Sequence, residues 1–232
     1  MPQEITVAAK SASTPFMANV RPAKARATEI AYDAIEGLIA TMKLRPGEAI
    51  VENDLVELTG LGRTPIREAL MRLIAGGLIE QQPRRGLRVS DIRVAEHLVL
   101  IETRRVLERL IAAGSARHAT PLQRRNILAH AHDMASAAKK GDYDGYMNAD
   151  QALDHVNHDA CRNPFAVQAV LPMIVQCRRF WYAYQYDGDL EQGSACHVLL
   201  AQGIADGDIE RAVSGADALM DYLDSFTRKV IE

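Results

Sequence analysis

The stretch Gly60-Leu61-Gly62-Arg63-Thr64-Pro65-Ile66-Arg67-Glu68-Ala69-Leu70 decides the fold of this chain, together with Glu52-Asn53-Asp54-Leu55 before it and Gln81-Gln82-Pro83-Arg84-Arg85-Gly86-Leu87-Arg88-Val89 after it. It reads as a short helix, a tight glycine turn, a second helix that opens with arginines, and a basic hairpin. That order predicts a winged helix-turn-helix. Thr64 is the expected N-cap, and Pro65 suits the first helical position because its missing N–H would be unpaired there anyway. Ile66, Ala69, Leu70 and Leu73 then recur on one stripe about 100° wide that must pack inward. Arg67 and Arg72 flank the stripe, and Glu68 points away from it. Gly76-Gly77 stops the helix, and two short strands over 78–82 and 87–90 enclose the wing, Pro83-Arg84-Arg85-Gly86.

Between Leu61 and Val89, Arg63, Arg67, Arg72, Arg84, Arg85 and Arg88 stand against only Glu68 and Glu80. Such a face attracts a phosphate backbone. A helix fits the major groove with its first turn nearest the base edges, so Arg63 and Arg67, four residues apart, can reach the groove together. Arginine pairs bidentately with guanine O6 and N7, which makes these two the candidates for sequence readout. Thr64, beside the free amides of the helix start, suits a phosphate. Arg84 and Arg85 at the wing tip suit a phosphate or the minor groove. A lone arginine would read as an ordinary solvated charge; the ordered motif favours double-stranded DNA as the partner.

The chain of 232 residues has room for two modest domains or one large one. With 48% apolar residues and only 5% aromatics, it suits a helix-rich globular protein. No apolar run reaches the roughly 18 residues that span a bilayer, and the opening stretch lacks the apolar core of a secretory signal. Cys161, Cys177 and Cys196 form no disulfide or metal framework, which points to a reducing cytoplasm. The net charge of −3 is unevenly spread. Residues 1–89 hold 12 Lys/Arg and 10 Asp/Glu, whereas 90–232 hold 15 and 20, so only the front half is placed to meet a polyanion.

Residues 1–26 lack periodicity and are expected to be a flexible leader. From Ala27, the residues Ile30, Ala34, Ile35, Leu38 and Met42 recur at helical spacing until Pro46-Gly47, and a second helix is expected over 54–59. Beyond Asp91 only helical patterns follow, over 93–118, 121–140, 142–161, 165–187, 192–206 and 208–230. The fold class is therefore mainly α: an N-terminal winged helix-turn-helix over 27–90, then an antiparallel all-α bundle over 95–230.

The second half carries polar residues at core-facing positions. Arg104 shares a stripe with Leu100, Leu107 and Ile111, and a guanidinium facing a core requires an anionic partner. The plainer alternative is a structural ion pair with an internal Asp or Glu. Arg105 points the other way and reads as solvated. Asp150 and Asp154 stand one turn apart beside Tyr146 and Leu153, and His197 lies with Leu200 and Ile204. Arg104, two carboxylates and an imidazole aimed inward could form one polar pocket in an apolar bundle; for His197 a satisfied core histidine is the alternative. The run Arg178-Arg179-Phe180-Trp181-Tyr182-Ala183-Tyr184 reads as mixed core and dimer surface.

The front half resembles the GntR family of bacterial transcription regulators across 27–90, on Leu55…Leu58, the 60–70 motif, Leu73, Gly77-Leu78-Ile79 and Arg85-Gly86…Val89. The resemblance implies that Arg63 and Arg67 contact operator bases and that the region of Gly86 approaches the minor groove. Asn53 departs from it, standing where some members carry a DNA-contacting Arg. The back half resembles the FCD domain of the FadR/VanR branch across roughly 95–228, on Arg104-x-x-Leu107-Glu108, Asp150 with Asn163-Pro164, and His197 followed by Asp208 and Ala212. That resemblance implies one divalent metal, held by an Asp and three His in many members, which with the arginine matching Arg104 binds a small carboxylate. Asp154 stands where the first His is usual and Leu219 where the last is usual. Asp150, Asp154 and His197 could still hold a metal completed by water; Asp150, Asp154 and His158 are another set.

The expectation is a ligand-responsive repressor, acting as a homodimer on a near-palindromic operator and answering a small organic acid. Two alternatives stand beside it: a ligand-independent DNA-binding regulator whose pocket has decayed, and a small metal-dependent hydrolase using Asp150, Asp154 and His197. Against an enzyme, the chain has no HExxH, nucleophile elbow or Walker loop.

Overall fold

A computed structural model describes residues 23–185 and 189–232. The expected leader falls mostly outside the described residues, but helix α1 (Ala23–Ala40) already begins four positions before Ala27. A short strand β1 (Ala49–Ile50) follows, then α2 (Glu52–Thr59) and α3 (Arg63–Ala75). Strands β2 (Ile79–Gln82) and β3 (Gly86–Val89) make the wing. The antiparallel sheet has the order β1-β3-β2, with Ala49 opposite Arg88 and Gln82 opposite Gly86. Strand β1 is absent from the sequence expectation. Its two residues carry no period of their own and are extended only because β3 offers them a partner.

Gly60 ends α2 in the left-handed region at φ 68°, with its N–H bonded to the Val56 carbonyl. The chain is then extended at Gly62 (ψ 159°) and helical from Arg63, so Gly62 is the N-cap of α3. This corrects the expected cap at Thr64: Thr64 and Pro65 sit within the first turn, where proline still removes only an N–H that has no helical partner. The stripe Ile66, Ala69, Leu70 and Leu73 is buried as its period demands, against Ala31, Ile35 and Ile39 of α1 and Ile79 and Val89 of the wing. Glu68 is not turned to solvent, because its carboxylate accepts from the Thr28 hydroxyl at 2.6 Å.

The second core is formed by α4 (Val94–His118), α5 (Pro121–Lys140), α6 (Tyr143–Cys161), α7 (Pro164–Ala183), α8 (Leu190–Asp206) and α9 (Ile209–Ile231). Helix starts here are locally encoded. Thr120 and Gln123 form a reciprocal capping box at α5, while Asp142, Asn163, Asp189 and Asp208 each cap the helix that follows. Helices α8 and α9 touch backbone to backbone at Gly203 and Gly215, where any Cβ would clash with the facing main chain.

Helix α7 belongs to both cores. Val175 packs into the winged-domain cluster and Phe180 and Trp181 into the bundle cluster. Position 172, a proline within α7, lies against Gly76 at the end of α3.

Candidate DNA-reading face and buried charge chamber

Arg63, Thr64, Arg67, Arg84, Arg85 and Gly86 are all solvent-exposed. Arg63 is the first residue of α3 and Arg67 lies one turn on, so both guanidiniums leave the amino end of a helix whose other face is anchored in the core. Arg67 Nε donates to Glu52 Oε2 at 2.7 Å, a surface pair between the first residue of α2 and the first turns of α3. The wing tip turns through Arg84 at φ 65° and Gly86 at φ 86°, which sends Arg84 and Arg85 into solvent. Two arginines of the basic segment are engaged elsewhere. Arg72 pairs with Glu29 at 3.0 Å and lies 4.2 Å over the Tyr32 ring; Arg88 pairs with Glu80 at 2.8 Å and Asp91 at 3.3 Å.

Inside the bundle a chamber of about 40 Å³ is lined by Arg104 of α4, Asp150 of α6, Cys177 and Arg178 of α7, His197 of α8, and Leu219 and Tyr222 of α9. A chamber of that size takes roughly two or three waters. Three of the four expected pocket residues, Arg104, Asp150 and His197, therefore meet. Asp154 does not line the chamber; it lines a cleft of about 400 Å³ between α1 and the bundle, with Arg178 as the residue common to both. Arg104 finds its anion on its own helix: Nε donates to Glu108 Oε1 at 2.8 Å, with both side chains buried. Burial works against the charge, but Glu108 and the Cys177 sulfur keep Arg104 firmly cationic. Arg105, expected in solvent, is half-buried and pairs with Asp221 at 2.7 Å and with the Asp217 carbonyl at 3.2 Å.

The centre of the arrangement is Arg178. Its Nε donates to Asp150 Oδ2, its Nη2 to Asp154 Oδ2 at 2.7 Å, and its Nη1 to Glu36 Oε1 of α1 at 2.8 Å. All four side chains are buried. Burial disfavours ionised Asp150, yet Arg178 and His197 hold its carboxyl well below the usual carboxylate range. For Glu36 the balance goes the other way: burial pushes the carboxyl up, and Arg178 offsets this only in part.

His197 Nδ1 lies 2.8 Å from the Gly193 carbonyl oxygen, which only accepts, and Nε2 lies 3.1 Å from Asp150 Oδ1. Nδ1 therefore donates to the Gly193 carbonyl and Nε2 faces Asp150; burial opposes a charge on the ring, but Asp150 raises the His197 pKa above its ordinary value. A divalent ion needs a neutral imidazole and free carboxylate oxygens. Here the two aspartates already grip a guanidinium, His197 Nε2 is turned onto Asp150, and Leu219 offers no donor. The expected metal set Asp150, Asp154 and His197 thus does not fit a divalent ion. Among the described residues no group of three or more His, Cys, Asp or Glu is arranged to hold one, and that covers Asp150, Asp154 and His158.

Comparison with known proteins decides the family. Residues 27–89 match the bacterial regulatory proteins of the gntR family, and residues 99–222 match the FCD domain. The chain belongs to the GntR family, in its FCD-containing form. A regulator from Agrobacterium vitis, from the TAR-I ttuE-ttuC' intergenic region, is 29% identical over 135 residues, 56% of this chain and 78% of that protein. The Escherichia coli regulator McbR is 25% identical over 108 residues, 47% of this chain and 49% of McbR, so that match spans only about half of the relative. In fold, the structure of E. coli McbR/YncC superposes with a TM-score of 0.73 at 17% identity, covering 89% of this chain and 99% of that one. A transcriptional regulator GntR from Rhodococcus sp. RHA1 gives 0.62 at 18% identity, covering 89% and 98%. The family and these relatives are transcription regulators, not enzymes, which removes the hydrolase alternative.

The sequence reading missed three residues of this GntR-family regulator that join its two halves: Glu36, Arg178 and Arg179. Arg179 is fully buried and donates to the Ser90 carbonyl at 2.8 Å and the Asp91 carbonyl at 3.0 Å, at the exit of β3. Burial lowers its pKa to about 10. A signal was present. Glu36 stands among Tyr32, Ile35 and Ile39 on the apolar side of α1, and Arg178-Arg179 are the charged residues of an otherwise uncharged α7. Charges at such positions require partners.

Proposed function

We propose that this protein is a ligand-responsive repressor that binds a near-palindromic operator as a homodimer in the bacterial cytoplasm, with DNA contacts in residues 27–90 and sensing in 95–230. The observation that carries the reading is the joint exposure of Arg63 and Arg67 at the amino end of α3, with Arg84, Arg85 and Gly86 on the adjoining wing. Arg63 and Arg67 read base edges, Thr64 and the helix-start amides hold a phosphate, and the wing reaches the neighbouring groove. The outer face of α4 supports the dimer: Val99, Val106 and Leu110 are 64%, 69% and 51% exposed along one stripe.

The effector of this reading is a small carboxylate held by Arg104 with Asp150 and His197 around it, and with Asp154 joined to the site only through Arg178. A chamber of about 40 Å³ must widen to admit an organic acid, so the ligand selects a more open bundle and shifts the packing of α7 against the winged half. The small volume of the chamber and Leu219 on its wall also favour the second reading, a ligand-independent regulator with a decayed pocket. Selection of bound fragments from randomised duplexes, followed by gel shift, tests DNA recognition; no enrichment of any sequence would defeat it. Thermal shift against a panel of organic acids separates the two readings, since a stabilising acid favours sensing.

A further inference from the structure

The wall between the chamber and the cleft at α1 is one side chain, Arg178, which lines both. Three carboxylates surround its guanidinium: Asp150 and Asp154 from α6 of the bundle, and Glu36 from α1 of the winged half. Three of its five N–H donors are used by these bonds, leaving two for another acceptor. With Leu219 on the chamber wall in place of a donor side chain, the single-positive guanidinium is the charge that holds Asp150 and Asp154 together. An ion set between the same two carboxylates would have to displace it or share their oxygens at contact distance.

A guanidinium differs from an ion in two ways that matter here. It is fixed covalently to α7, so it cannot be lost or chelated. It also has a third arm, and that arm reaches the other half of the molecule at Glu36, whose second oxygen accepts from Gln151 Nε2 at 3.3 Å. Of the three carboxylates, only Glu36 comes from outside the bundle, and there burial outweighs Arg178 and pushes the carboxyl up.

We propose that the Arg178 guanidinium is the resident cation that balances Asp150 and Asp154, so that the protein works metal-free and the same cation ties the chamber to α1 of the winged half. The inference rests on the chamber being the sensing site, but its test does not require an effector.

The test uses the full-length protein, stripped with EDTA and then titrated with zinc chloride or manganese chloride, with thermal unfolding and metal analysis after gel filtration as readouts. The wild type should retain well under about 0.1 equivalent of either ion and its Tm should move by less than ~1 °C, since an ion that does not bind the native state cannot stabilise it. Arg178→Met frees Asp150, Asp154 and Glu36, and should gain a zinc-dependent rise in Tm of several degrees that EDTA reverses. Arg178→Lys, which keeps a cation, should stay indifferent to both ions. Retention of about one equivalent by the wild type, with an EDTA-induced fall in Tm, overturns the proposal; so does a folded Arg178→Met that ignores zinc. If Arg178→Met does not fold, the wild-type and Arg178→Lys arms decide. A metal-loaded wild type that still binds operator DNA would sink this inference alone and leave the regulator reading standing.

Discussion

Glu36 of α1 and Arg178 of α7, 142 positions apart in the chain, meet at 2.8 Å in a buried ion pair that crosses from the winged half to the helical bundle. Because Arg178 also holds Asp150 and Asp154, the pair is one edge of a four-charge cluster and not an isolated bridge. Such clusters contribute little relative to apolar packing while intact, yet breaking one by removing a partner leaves buried charge uncompensated.

Replacing Arg178 by Ala should accordingly destabilise the protein by about 3–5 kcal/mol, because three carboxylates lose their only common cation. Glu36→Gln, which keeps the shape and an acceptor oxygen while removing a charge whose ionisation is already disfavoured, should cost under about 1 kcal/mol. Urea denaturation of both variants checks this. Equal losses would mean that the cluster does not work as a charge balance centred on Arg178.

Arg67 is held by Glu52 in the free protein, and a pair as exposed as this one contributes at most about 1 kcal/mol. DNA phosphates and base edges should therefore take Arg67 from Glu52 easily. Arg63→Ala or Arg67→Ala should weaken operator binding by roughly 1–3 kcal/mol and relax base preference. Glu52→Gln should act in the opposite direction, tightening binding modestly by freeing Arg67 and removing a negative charge from the interface. Fluorescence-anisotropy titrations at fixed salt give all three, and a weaker Glu52→Gln would show that the pair positions Arg67 for reading.

The contrast between these two pairs explains how much was legible in the sequence. Elements governed by local rules could be read almost to the residue: α5 runs from Pro121 to Lys140 because Thr120 and Gln123 box its start and Gly141 closes its end in the left-handed region. The surface arginines of α3 and the wing could be read because exposure follows from periodicity. The cluster at Arg178 could not, since its partners lie 24, 28 and 142 positions away and no local pattern pairs them. The same is true of Arg105, which periodicity sends outward and α9 meets with Asp217 and Asp221. The metal reading fails the fit for a related reason: Asp150 and Asp154 are bonded to Arg178, and His197 is bonded to Gly193 and Asp150, none of which a local pattern announces.

His97 of α4 is buried and stacked on Phe180 at 3.9 Å. Burial, then the nearby Arg104 and Arg179, lower its pKa from 6.5 to about 4. The unfolded chain therefore takes up this proton first as pH falls, and the native state loses stability from about pH 6.5 down to about 4. At pH 5 the His97 contribution amounts to a loss of about 2 kcal/mol. His97→Phe keeps the stack and removes the titration. The gap in unfolding free energy between wild type and variant should change by about that amount from pH 7 to pH 5, in favour of the variant. A pH-independent gap would mean that His97 is protonated in place.

Val99, Val106 and Leu110 form an exposed apolar stripe on α4 that neither core covers. Val106 is the most exposed of the three, so a charge there disturbs no internal packing. If the stripe is the dimer face, it is self-complementary across a two-fold axis, and Val106 of each protomer is buried in the contact. Val106→Asp then buries an unpaired carboxylate from each protomer in an apolar contact and should yield monomers by light scattering, with Tm of the monomer little changed. Operator affinity should fall by about two orders of magnitude as the second half-site becomes a separate binding event, at the low end of the roughly 10²–10⁴-fold range that linkage of two sites supplies. An unaltered dimer mass in Val106→Asp would move the interface off α4 and leave this stripe without a role.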